Sequence, residues 1–352
     1  MTHRWFAAAV LGLSSALLSP PTRGAGPEDP AVRVVDLHVD LSYQVCYRGR
    51  DIRRGSGQLL AAQLEPSGYV GVVLPLYIPH DVAPQGPRRE DLEESYRRLL
   101  ALLPQPYARP GTEPGVRPVR TWLSFEGMAP LAGASAADIA AWVARGVRIF
   151  GLVHVHDNVL ATSAGSGPAI RRPEFGLTQE GRRIVALVHR VGGIVDVSHL
   201  SDPGTDEVIA MARAACVPVV ATHSNARALA PHARNLTDAQ LRGIAATGGV
   251  IGVNFHGPFL VQGRRATIDD VVRHVAYIAR VAGVDHVAVG SDFEGGIAAP
   301  QGLEDVRGLP RLAARLRAAG LSAKDVDSVL SGNALRILSG DSRMVCGSGK
   351  MG

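Results

Sequence analysis

Several short apolar runs in the chain end in a residue able to bind a metal ion. VRVVDLHVD carries His38 and Asp40, TWLSFEG carries Glu126, and RIFGLVH ends at His154. GGIVDVSH ends at His199, VPVVATH at His223 and DHVAVGSD at Asp292. His38 and Asp40 are two apart, so on an extended strand their side chains share a face and can reach one cation. Glu126 has two carboxylate oxygens and can bridge two metals. The five residues then make two sets: His38 and Asp40 with Glu126, and Glu126 with His199 and His223. Imidazole and carboxylate ligands that leave positions open for water suit catalytic Zn2+. Two such ions can share one hydroxide and present it to a carbonyl.

The remaining candidates suit the rest of a hydrolysis. Asp292 can accept a proton from the bridging water and pass it to a leaving amine. His154 can polarise a carbonyl oxygen as negative charge develops, with His156 as its rival. Arg234, in ARALAPHARNL, suits bidentate capture of a carboxylate from a loop. Singly, each has a plainer reading as a turn acid, a structural imidazole or a solvated charge. Only their joint pattern is specific.

A ligand at the end of strand after strand calls for parallel strands opening on one side. Strand candidates fall at 33–39, 68–77, 119–125, 147–154, 193–198, 217–222, 249–255 and 286–291. They are near-continuous apolar runs, as strands buried on both faces should be. Segments of helical period lie between them, including DLEESYRRLLALL, ADIAAWVARG and TQEGRRIVALVHRVG. TDAQLRGIAATGG opens with Thr237 and Gln240 at capping-box spacing and closes with Gly248. The alternation predicts a single-domain α/β fold, a (β/α)8 TIM-like barrel over 30–340. A doubly wound sheet would want a Gly-rich turn after its first strand, and VDLHVDLSY is not one. The long segment 155–177 is a candidate active-site loop.

Composition narrows the classes. The chain has 352 residues, 46% hydrophobic, enough to bury a sizeable core. Its formal charge is +5, but the arginines are scattered among acids, which argues against nucleic-acid binding. Arg4 followed by the apolar segment Trp5 to Leu18 reads as a signal peptide over 1–25, so a secreted or periplasmic location is expected. That segment falls short of the roughly 20 residues of a membrane span. Three cysteines make no disulfide framework. Cys216 is expected as a buried small hydrophobe, and Cys346 in a disordered tail, 341–352. Cys46 is a poor rival nucleophile beside a better site. Oligomeric state is open, with a homodimer among the options.

The matching segments are DLHVDL, SFEG, LVHVHDNVLATS, GLTQEGRRIVALVHRVGGIVDVSHLSD, VVATHSNARALAPHARNLTDAQLRGIAATGGVIGVNF, VAVGSDFEGG and LSGNALRIL. On these the chain resembles the membrane dipeptidase (renal dipeptidase, peptidase M19) family of amidohydrolase-like metal barrels. The resemblance spans most of 34–338. It implies two Zn2+ per chain, one held by His38, Asp40 and Glu126, the other by Glu126, His199 and His223. It implies that His154 binds the substrate carbonyl, that Arg234 binds a dipeptide's C-terminal carboxylate, and that Asp292 handles the proton. D-residues at that end are tolerated in the family. Val39 stands where the family often has Asn, Met128 where it often has Gly, and His256 where it tends to have Tyr. The His256 difference touches local substrate contacts, not the metals. An amidase or lactam hydrolase on the same site is the alternative reading. A catalytically dead binding protein is disfavoured, because every presumed ligand is present.

Overall fold

Each of the eight apolar runs forms a strand, and the strands close on themselves in chain order. They are β1 (Val34–Asp36), β2 (Tyr69–Leu76), β3 (Arg120–Glu126), β4 (Val147–Gly151), β5 (Ile194–Asp196), β6 (Val219–Ala221), β7 (Val250–Val253) and β8 (Val287–Val289). Every neighbouring pair is parallel, β8 with β1 included. The structure is a computed structural model that describes residues 32–103, 119–171 and 173–340. The segment read as a signal peptide, the stretch 104–118 and the tail from 341 lie outside those residues. The chain is a single-domain (β/α)8 barrel.

Parallel neighbours need crossovers, and helices supply them. The helix Asp238–Ala246 starts as its sequence predicts: Thr237 Oγ1 accepts from the Gln240 N–H at 3.2 Å, and Gln240 Oε1 accepts from the Thr237 N–H at 3.0 Å. The helix Gln179–Arg190 buries Gly181, Ile184, Val185 and Val188, a stripe of helical spacing that faces the barrel. Most strands end earlier than their apolar runs, β1 at Asp36 and β4 at Gly151. The residues beyond leave the ladder, and apart from Glu126, the last residue of β3, they carry the candidate ligands.

One end of the barrel is sealed. Val35, Val73, Trp122, Ile149, Ile194, Val220, Val250 and Ala288, one from each strand, form an apolar cluster with Ala334, Ile337 and Leu338 of the helix Asn333–Leu338. That helix sits where the strands begin. Asn333 Nδ2 donates to the carbonyls of Val284 and Val287, and Arg336 to those of Gly248 and Asp285. Two glycines matter higher up. A Cβ on Gly252 or Gly290 would collide with the Thr222 carbonyl oxygen, so their absence of a side chain lets β6, β7 and β8 close up beside His223.

The cysteines correct the sequence reading. Cys216 is exposed, not buried, because it ends the helix Asp202–Ala215 in the left-handed conformation at φ 56°. It is also disulfide-bonded, where no framework was expected. Cys46 is free and buried. Its Sγ faces the Ser95 carbonyl at 3.8 Å, and burial pushes the thiol up to about 12, which suits packing and not nucleophilic attack.

Candidate metal centre and active site

The open end of the barrel gathers the candidate residues. His38 and Asp40 follow β1, Glu126 closes β3, His154 follows β4, His199 follows β5, His223 follows β6 and Asp292 follows β8. Arg234 reaches in from the connection after β6 and is buried. Four imidazoles surround one carboxylate oxygen, Glu126 Oε1. The Nε2 atoms of His199, His38, His223 and His154 stand 3.1, 3.6, 3.7 and 4.0 Å from it. His38 Nε2 is 3.7 Å from Asp40 Oδ2, and the Nε2 atoms of His199 and His223 are 2.9 Å apart.

Three triads bring one ligand atom each within 4.8 Å of one another: His38, Glu126 and His223; Glu126, His154 and His199; and His38, Asp40 and Asp292. Glu126 belongs to two of them. The grouping by distance is thus looser than the two sets drawn from the sequence, since His154 and Asp292 join the cluster. All five expected ligands are in it.

The donor set fits a divalent-metal centre. Both ring nitrogens of His38 and the Nδ1 of His199 are buried without a hydrogen-bond partner among the described residues. Such orphans are costly unless something pairs them. Burial, reinforced by Asp40, raises the pKa of both Glu126 and Asp292. Burial drives those of His199 and His223 well down, leaving neutral rings with lone pairs to offer. Burial also opposes a charge on His38, yet Glu126 and Asp40 carry its pKa up to about 10. With carboxylates packed this tightly the site calls for positive charge, and a divalent cation meets that call without a proton.

A layer below aims the candidate ligands. Thr222 Oγ1 donates to Asp196 Oδ2 at 2.5 Å, so its only remaining role toward His223 Nδ1, 2.8 Å away, is to accept. That holds the His223 proton on Nδ1 and leaves the Nε2 lone pair facing Glu126. Asp196 also accepts the N–H groups of Ser198 and Thr222. Asp36 does the same under β1, accepting the N–H groups of His38 and Ser291 and the Tyr69 hydroxyl. Backbone strain gathers here too. Of the four non-glycine residues with positive φ among those described, three are His199, Asp292 and Glu294, at 69°, 64° and 72°.

The cluster floors a cavity of about 320 Å³. Asp40, Glu126, His154, His199, Arg234 and Asp292 line it, with Tyr43, Tyr77, His256 and Phe259. His154 is the member of its pair that faces the cavity; His156 is exposed, its ring 5.6 Å from that of His80. Burial lowers the His154 pKa to about 4, so its ring is neutral. The long loop contributes Gly165 and Ser166 to the wall. Asn235 begins an Asn-Leu-Thr sequon, but its Nδ2 is spent on the carbonyls of Ala230 and Phe259 at 2.8 Å each.

Sequence reasoning missed Asn254. It follows β7, whose end offers no metal ligand, and its Nδ2 donates to Asp292 Oδ2 at 2.9 Å. The signal was present, a polar residue closing the buried run VIGV. Tyr77, whose ring lies 4.6 Å from that of His154, and Phe259 carry no such signal, because nothing in their spacing marks them.

Comparison with known proteins agrees with this geometry. A family model described as membrane dipeptidase (peptidase family M19) matches residues 30–343. An uncharacterised protein in the pqqA 5′ region of Klebsiella pneumoniae is 43% identical over 206 residues, which are 57% of this chain and 74% of that one. A dipeptidase of Claviceps purpurea, tcpJ, is 36% identical over 195 residues, 55% of this chain and 44% of that one. The matches thus span about half the length of the fungal relatives. Among solved structures, a metallopeptidase from Rhodobacter sphaeroides, liganded with a phosphinate mimic of the dipeptide L-Ala-D-Ala, superposes with a TM-score of 0.75 at 28% identity. The superposition covers 89% of this chain and 99% of that one. A family match over nearly the whole chain, on a barrel whose mouth carries a metal-ligand cluster, identifies it: the chain belongs to the membrane dipeptidase family, peptidase family M19.

Proposed function

We propose that this protein is a zinc-dependent dipeptidase that cleaves the peptide bond of dipeptides, including those with a D-residue at the C-terminus. The observation that carries the reading is the convergence of four imidazoles on one oxygen of Glu126, beside Arg234, in a cavity of dipeptide size. His38, Asp40, Glu126, His199 and His223 would hold two Zn2+. When bound, the ions would acidify a shared water toward a pKa of about 7 and polarise the substrate carbonyl.

The chain's own groups do the rest. Arg234 receives the substrate's C-terminal carboxylate, which limits substrates to short peptides with a free C-terminus. The neutral ring of His154 donates to the carbonyl oxygen as it gains negative charge. Asp292 takes the proton released by the attacking water and delivers it to the amine nitrogen as the C–N bond breaks. Asn254 holds Oδ2 of Asp292 and so orients the carboxyl, which also contacts Asp40.

Tolerance of a D-residue is supported by the ligand of the Rhodobacter sphaeroides relative, a mimic of L-Ala-D-Ala. Export is supported by the N-terminal apolar segment and by the exposed, disulfide-bonded Cys216, which suits an oxidising compartment. No helix among the described residues is long and apolar enough to cross a membrane. The test is hydrolysis of Gly-D-Ala and L-Ala-D-Ala by the purified protein before and after chelation. We expect turnover that chelator abolishes and added Zn2+ restores. Turnover that survives complete metal removal sinks the proposal.

A further inference from the structure

The catalytic cavity does not end at Arg234. Ser166, His256 and Phe259 form part of its wall, and the same three residues line a second, larger cavity of about 1190 Å³. The reaction outlined above makes no use of it. The two spaces meet at Phe259, whose ring lies 5.7 Å from the Arg234 guanidinium carbon. A leaving residue with its carboxylate on Arg234 therefore stands beside the passage between them.

Two imidazoles flank that passage, and their hydrogen bonds settle where each proton sits. His232 Nδ1 accepts the Arg234 N–H at 3.1 Å. His256 Nδ1 accepts the Ala298 N–H at 3.1 Å. A backbone N–H only donates, so both Nδ1 atoms carry a lone pair and both neutral rings carry their proton on Nε2. Burial lowers both pKa values, His232 to about 4, which keeps the rings neutral near pH 7. Phe259 packs against both, at 4.5 Å from His232 and 4.7 Å from His256, and limits their rotation. Neither Nε2 has a hydrogen-bond partner among the described residues.

The charges on the rim largely cancel. Arg264 spends its guanidinium on Asp270 at 2.6 and 2.7 Å, and Arg265 stands 3.8 Å from Glu304. Beside Ser166 and Gln262, the lining offers an aromatic face and the two Nε2–H donors. The complementary guest has methylenes for the ring and an oxygen for the donors.

Resting on the dipeptidase reading, we propose that this second cavity is the subsite for the side chain of the leaving residue. It selects chains of glutamine or glutamate length that end in an oxygen acceptor, which the Nε2–H groups of His256 and His232 receive. Recognition by donors that cannot turn into acceptors disfavours an apolar chain of similar length, because each donor would lose its water and gain nothing.

The experiment compares kcat/KM of the zinc-loaded enzyme for Ala-Gln, Ala-Glu, Ala-norleucine and Ala-Ala, in whichever leaving-residue configuration is turned over. The acceptor-bearing substrates are expected to exceed norleucine about tenfold, the scale of one or two neutral hydrogen bonds. In His256→Phe the ratio of glutamine to norleucine should fall toward one, and in His256→Gln, which keeps an N–H donor, it should partly return. Ala-Ala turnover with a wild-type ratio of one or less overturns the subsite alone. So does a ratio unchanged in His256→Phe. Failure to cleave any of the four overturns the dipeptidase reading and the subsite with it.

Discussion

At the end where the strands begin, eight apolar side chains meet Ile337 and its neighbours, and the helix Asn333–Leu338 closes over them. At the end where the strands stop, four imidazoles crowd one carboxylate, and three non-glycine residues sit in the left-handed region. The same eight strands serve both ends. At the closed end one apolar side chain from each strand is buried against its neighbours and the closing helix. At the open end buried carboxylates repel one another, ring nitrogens lack partners, and the backbone is strained. The difference teaches where the fold's stability is made and where it is spent. Substitutions at the two ends should therefore fail in opposite ways.

The largest effect is expected at the open end. Asp292→Asn keeps the shape and tolerates the left-handed backbone, but cannot hold a proton for the leaving amine. We expect kcat to fall on the order of 10²–10⁴-fold, with the melting temperature little changed. A stopped assay beside a thermal melt checks both, and retained kcat would remove Asp292 from the proton path. At the closed end Ile337→Ala should do the reverse. It opens a cavity in the plug and should cost about 2–5 kcal/mol of stability, read by denaturant unfolding. Its kcat/KM at a temperature where it stays folded should match the parent. A loss of activity there that exceeds the unfolded fraction would show that the two ends are coupled, and would break the comparison.

The closed end was the more legible of the two in the sequence. Its strands are short apolar runs, and its crossover helices carry local caps such as Thr237 with Gln240. Those signals act within a few residues and survive without knowledge of the fold. The candidate ligands were legible for a related reason: each stands at or just past a strand end, and strand ends share one face of a parallel barrel. Other features of the open end depend on closure of the barrel. The Asp196–Thr222–His223 relay joins two strands, and Thr222 fits only because Gly252 and Gly290 lack side chains. The second cavity forms where His232, from the connection after β6, meets His256 and Phe259, from the connection after β7. Cys216 misled for a local reason, since proximity to an apolar strand outweighed its place at a helix end.

The central claim is that the open end is a metal centre held together by Glu126. Its most direct test is the metal content of the purified protein, measured by elemental analysis, in the parent and in Glu126→Gln. The account predicts two Zn2+ per parent chain and loss of both in the variant, which should still melt cooperatively because the closed end is intact. A parent that binds no metal after incubation with Zn2+, or a Glu126→Gln chain that keeps both ions, would contradict it.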